Sequence, residues 1–156
     1  MKLNRRLVLA GTAGAVAVVA GATTIALANP GNTVTTILGH RATMSGSVQV
    51  NDDRIKFQTK DAVDMITQKV TFPAGGTSGW HYHPGVVLVV VESGQVTTHD
   101  ANCQTKTYGP GQAFVESGND PFMVSNETAA DAVDIATIAS PAGGPFRIET
   151  DPPPCA

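Results

Sequence analysis

His81 and His83 stand one residue apart in Gly75-Gly76-Thr77-Ser78-Gly79-Trp80-His81-Tyr82-His83-Pro84-Gly85, just before the apolar run Val86-Val87-Leu88-Val89-Val90-Val91. Side chains alternate along an extended backbone, so two imidazoles at this spacing point the same way. Such a pair beside an apolar strand can begin a transition-metal site in a β-barrel. Alone it is a weak site, because tight ones use three or four protein ligands. The other readings are two ordinary histidines, or one imidazole acting as a general base near neutral pH. No Ser-His-Asp or Cys-His arrangement, phosphate loop or nucleotide fingerprint is legible.

The elements that must hold this pair read as β almost throughout. Strands are expected at 34–38, 47–50, 54–59, 65–72, 86–91, 95–99, 113–115, 122–125 and 132–139, with a short last segment at 146–148. Asn51-Asp52-Asp53, Ser93-Gly94 and Gly109-Pro110-Gly111 supply turns between them. The 86–91 run is apolar at every position, so it is buried on both faces or forms a barrel wall. Many short strands with frequent turns indicate a sandwich or barrel. No long amphipathic helix is evident outside the N-terminal leader.

Two spaced patterns then resemble the cupin superfamily of small jelly-roll barrels. The family's first motif runs Gly, five residues, His-x-His, three or four residues, Glu, six residues, Gly. Here Gly75, His81, His83, Val87 and Gly94 occupy those positions. The second motif runs Gly, five residues, Pro-x-Gly, two residues, His, three residues, Asn. Gly111 and Asn126 fit its ends, while Ser117, Asn119 and Phe122 take the Pro, Gly and His positions. The resemblance covers roughly residues 65–140 and implies a single all-β cupin barrel. Residues 29–64 would add its N-terminal strands, and 141–156 a Pro-rich tail.

In metal-binding cupins two histidines, a Glu and a second-motif His hold Fe, Mn, Zn, Ni or Cu. Val87 and Phe122 cannot donate a lone pair, so the resemblance leaves His81 and His83. Asp120, two residues before Phe122, is the leading candidate for a third ligand, with Glu116 and His99 behind it. The alternative is a vestigial site, with Val87, Phe114 and Phe122 walling a pocket for a small apolar molecule. The expected function is therefore small-molecule binding in an exported cupin with a partial metal site. The alternatives are a dioxygenase-like metal-dependent oxidoreductase and a simply packed structural domain. Trp80 and Tyr82 alternate with the histidines and should face away from them. His99 beside Asp100 reads as a solvated turn. Asn126-Glu127-Thr128 matches the glycosylation triplet but, behind a bacterial-looking leader, reads as a plain turn.

The chain opens with Lys2, Arg5 and Arg6, then an uncharged apolar stretch ending in Ala26-Leu27-Ala28. This is the pattern of an export signal, 1–28, with cleavage before Asn29. Arg5-Arg6 also fits a twin-arginine signal, and an uncleaved anchor is the alternative to cleavage. The leader holds three basic and no acidic residues, so the net charge of −3 becomes −6 without it. An acidic domain with no basic cluster excludes nucleic acid and stable membrane insertion as expected partners; a small-molecule ligand and a homodimer stay open. The two cysteines, Cys103 and Cys155, are expected to pair in an oxidising compartment, tethering the Pro-rich tail.

Overall fold

The computed structural model describes residues 31–156 and the backbone of Leu27 and Ala28; the rest of the expected leader and Asn29 lie outside the described residues. Every regular element described is a strand: β1 (Leu27–Ala28), β2 (Val34–Ile37), β3 (Ala42–Met44), β4 (Gln49–Asp52), β5 (Ile55–Gln58), β6 (Val63–Phe72), β7 (His81–Tyr82), β8 (Val86–Ser93), β9 (Val96–His99), β10 (Thr105–Tyr108), β11 (Ala113–Ser117), β12 (Met123–Ser125), β13 (Ala132–Pro141) and β14 (Ile148–Glu149). The large sheet has the order β1-β2-β6-β13-β8-β11, with β3 also on β6; β10-β9-β12 form a second sheet. β7 pairs with β14, and β4 with β5. All named pairs are antiparallel.

Antiparallel sheets bury one face, and period-two alternation selects it. On β13, Ala132, Asp134, Ala136, Ile138 and Ser140 are buried. On β8, Val87, Val89 and Val91 are buried while Leu88 and Val90 are 54% and 48% exposed. The all-apolar run is thus a barrel wall with an open outer face. Phe72, Val96 and Val124 join the same core. Each such side chain contributes about 1.5–3 kcal/mol relative to exposure.

Gly94 shows why its position in the first motif admits no side chain. Its φ is +71°, and a Cβ there would lie 2.6 Å from Ala132 Cα and Asp131 O. The turn after β8 needs both the left-handed conformation and the missing carbon.

The segment after β13 is fastened by Asp64. Its carboxylate accepts from Thr43 Oγ1 (2.6 Å), Gly143 N (2.8 Å) and Arg41 Nε (2.8 Å). The Thr43 hydroxyl, the Gly143 amide and the Arg41 guanidinium, partly opposed by burial, lower its pKa from 3.8 to about 2. A lowered carboxylate pKa contributes stability above the unfolded value and loses it as pH falls through the folded one. Asp64→Asn should therefore be less stable than wild type at about pH 5, and the gap should close between about pH 4 and pH 2. Urea midpoints across that range check this; a gap independent of pH would refute it.

Cys103, in the β9–β10 turn, is bonded to Cys155, with 6.1 Å between their Cα atoms. The tail is held to the second sheet, as the cysteine pair implied. His99 departs from its expected solvated turn. It ends β9, with Nε2 2.8 Å from Ser125 Oγ and 3.3 Å from Glu127 Oε1, and its ring meets Trp80 edge-on at 6.4 Å. The first hairpin turns at residues 53–54, because β4 runs on through Asp52.

Candidate metal centre

β7 is two residues long and is held from both sides. Tyr82 and His81 pair with Ile148 and Glu149 of β14, and His81 exchanges backbone hydrogen bonds of 3.0 and 2.8 Å with Phe122. The extended backbone carries both imidazoles inward, leaving His81 3% and His83 5% exposed.

The outer ring nitrogens face backbone acceptors. His81 Nδ1 lies 2.9 Å from Gly79 O and 3.4 Å from Ser78 Oγ; His83 Nδ1 lies 2.5 Å from Phe146 O. A carbonyl only accepts, so each ring places a proton on Nδ1 and turns its Nε2 lone pair inward. The two Nε2 atoms are 3.1 Å apart. Glu116 Oε2 lies 3.4 Å from His81 Nε2 and 3.2 Å from His83 Nε2. That oxygen is buried and has no hydrogen-bond partner.

Three acceptors facing one another repel unless a proton or a cation sits among them. Burial alone pushes Glu116 up; with a second proton on an imidazole, hydrogen bonds from His81 and His83, followed by their charges, would outweigh it and lower its pKa to about 2. Those bonds need an extra proton on an imidazole; a divalent ion would satisfy all three atoms at once. The donor atoms lie within 4.8 Å of one another. Two imidazoles and a carboxylate suit iron, manganese, nickel, copper or zinc, so the residues fit the group.

Glu116 reaches the pair because of strand register. In the β8–β11 pairing it lies directly opposite Val87, which occupies the family's Glu position. The carboxylate therefore comes from the neighbouring strand, at the same level. Asp120 is exposed in the bend at residues 118–120 after β11 and is not part of this group. The alternation of Ala113-Phe114-Val115-Glu116-Ser117 puts Phe114 and Glu116 on one face, a signal available in the sequence; which strand that face meets was not.

The group opens onto a cavity of about 360 Å³. Val87 lines it, with Ile66, Val70, Val89, Ile138 and Phe146. Phe114 and Phe122, expected on the pocket wall, are instead packed in the core beside Tyr108, with Phe114 4.8 Å from the Tyr108 ring and 6.4 Å from the Phe122 ring. Phe122 meets His81 through its backbone.

Asp134 is an acidic wall residue outside the expected site. Asp134 is 3% exposed, and its Oδ1 has no hydrogen-bond partner. Burial, with a smaller contribution from the Glu116 charge, pushes its pKa up to about 8. An acid at an inward position of Ala132-Val133-Asp134-Ile135-Ala136 was the sequence signal for it.

A family model described as "Cupin domain" matches residues 68–137. No curated protein matches the chain. Among solved structures, a polyketide cyclase, RemF from Streptomyces resistomycificus, is 12% identical with a TM-score of 0.55, covering 83% of this chain and 82% of that one. A structure described among "DMSP lyases RdDddP and RnDddQII" is 18% identical with a TM-score of 0.52, covering 77% of this chain and 53% of that one. An oxalate oxidase with bound glycolate is 17% identical with a TM-score of 0.47; the match covers 55% of this chain and 45% of the oxidase, so the chain spans less than half its length. At these identities the structural likeness speaks for the fold alone. With the motif spacing, the all-β architecture and the match over 68–137 in agreement, residues 68–137 form a cupin domain.

Proposed function

We propose that this chain is an exported cupin that binds a divalent transition metal on His81, His83 and Glu116 and takes a small, largely apolar molecule in the adjoining cavity. The observation that carries this reading is the convergence of three buried acceptor atoms. Both imidazoles have their Nδ1 protons committed to backbone carbonyls, and Glu116 Oε2 has no donor. Export rests on the N-terminal basic and apolar pattern. A bound divalent ion would supply Lewis-acid polarisation of a ligand oxygen or, as iron or manganese, redox chemistry.

A metal-dependent oxidoreductase is the second reading. The donor set favours it, because two histidines and one carboxylate leave metal positions open for other ligands. In either case the protein holds the site from behind. Gly79 and Phe146 fix the imidazole tautomers and orientations through their carbonyls, the role outer hydrogen bonds play at metal sites.

Elemental analysis of the full chain, purified without a His-tag, tests the metal reading beside His81→Ala/His83→Ala. The expected result is close to one divalent ion per chain, lost in the double variant. No metal above the variant's background, after separate loading with iron(II), manganese, nickel, copper and zinc, would overturn it. Turnover retained in His81→Ala would overturn the oxidoreductase reading.

A further inference from the structure

Asp134 is costly where it stands. A buried carboxyl without a partner is less stable than an apolar side chain of similar size. Every other inward position on the same stretch of β13 holds a small or apolar residue: Ala132, Ala136, Ile138 and Ser140. Asp134 lies opposite Val70 on β6 and Val91 on β8, where the β8–β13 register shifts between Val133 and Asp134. Such irregularities re-aim side chains and are common beside functional sites. The irregularity, the burial and the unpartnered Oδ1 together point Asp134 at the cavity it lines.

The ionisable groups sharing that cavity are His81 and His83 at β7, Glu116 on β11 and Arg147 before β14. β2 and β6 present Thr35, Gln68 and Val70; β8 and β12 present Val87, Val89 and Val124. Arg147 is already bonded to Glu149 and to Ser78 O. Among the described residues no cation pairs with Asp134, and burial favours its protonated form.

We propose that Asp134 is the recognition pole of the cavity, an uncharged carboxyl that donates its hydrogen to a carbonyl oxygen of a compact, uncharged, mostly apolar ligand. This rests on the reading of the cavity as a small-molecule site. The apolar wall takes the body of the ligand, and the His81, His83 and Glu116 group forms a second pole. A charged ammonium ligand would instead ionise Asp134 and is the competing chemistry.

Acetophenone is the probe, an aromatic ketone with one acceptor. α-Methylstyrene is its control, with the same shape and no acceptor. Binding to the full chain is measured by NMR titration at about pH 6 and about pH 10, below and above the Asp134 range. Wild type should bind acetophenone roughly five- to tenfold more tightly than Asp134→Leu at the lower pH, the effect of one neutral hydrogen bond. α-Methylstyrene should not distinguish the two proteins, and the ketone's advantage should vanish at the higher pH. Asp134→Asn keeps a donor that does not titrate. Its ketone affinity should stay level across the same range, which also covers the case in which the leucine variant does not fold. Equal ketone binding by wild type and a folded Asp134→Leu, a persistent pH slope in Asp134→Asn, tighter binding of the phenyltrimethylammonium cation than of the ketone, or no binding of the ketone to wild type would overturn the proposal. Metal content of the Asp134 variants should equal that of wild type. Failure of the metal reading therefore shows separately, as wild type without metal.

Discussion

Glu116→Val is expected to lower divalent-metal affinity by roughly a hundredfold or more, and adding Val87→Glu to restore much of the loss. The first half follows from the donor set. Without Glu116 two imidazoles remain, and two neutral ligands hold a divalent ion weakly. The second half follows from register. Residues directly opposite on paired antiparallel strands have Cβ atoms about 4.5–5.5 Å apart, within the reach of a glutamate side chain. Val87 is opposite Glu116, 1% exposed, and on the wall of the same cavity. Moving the carboxylate across one rung keeps one charge, two imidazoles and nearly the same side-chain volume. Competition of zinc or manganese against a chromogenic chelator would measure wild type and both variants. An affinity unchanged in Glu116→Val would show that the carboxylate is not a ligand. Failure of the swapped protein to regain binding, with its circular dichroism intact, would show that the carboxylate must approach from β11.

Asn126→Ala should destabilise the fold by about 3 kcal/mol, because it removes all the hydrogen bonds of a buried amide at once, although Pro73 O and Ala130 O keep Gly76 N and Thr128 Oγ1 as donors. Asn126 is 1% exposed. Its Nδ2 donates to Phe72 O (3.0 Å), Pro73 O (3.1 Å) and Ala130 O (2.7 Å), while its Oδ1 accepts from Thr128 N (3.0 Å) and Thr128 Oγ1 (2.7 Å). One side chain thus ties the end of β6 to the turn between β12 and β13. Such a loss is a large part of a typical domain's stability. Asn126→Asp should be at least as damaging, since a carboxylate cannot donate to the three carbonyls and would face them as a fourth acceptor. Urea unfolding measures both; a loss below about 1 kcal/mol in both would mean that water replaces the amide. The same geometry explains why the Asn126-Glu127-Thr128 triplet acts as a turn: the nitrogen a glycan would need is engaged inside the protein.

Most of the barrel was legible because alternation is a local property. β6, β8, β11 and β13 all carry inward residues at every second position, and the expected strands fall within a few residues of the observed ones. β3 and β10 were not expected. Ala42-Thr43-Met44 and Thr105-Lys106-Thr107-Tyr108 lack a strong apolar face and become strands by pairing with β6 and β9. Context of that kind overrides weak propensity.

The site divides along the same line. His81 and His83 are two residues apart, so backbone geometry alone puts them on one side. Cys103 and Cys155 formed the only possible bridge within the chain. The third ligand was a different matter. Asp120 and Glu116 lie four residues apart, and the choice between them depends on where β11 ends and which strand it meets. β11 ends at Ser117, before Asp120, and its pairing sets Glu116 on the level of the histidines. Phe114 and Phe122 were likewise apolar and close in the chain to the site, yet Phe114 packs against Tyr108 and Phe122 lies beside Phe114. The sequence by itself determined the alternation, the turns, the histidine pair and the possible disulfide, because each depends on residues adjacent in the chain or on simple pairing. Only the tertiary structure decided that Glu116 completes the group and that Asp134 shares its cavity, because both depend on non-local strand register.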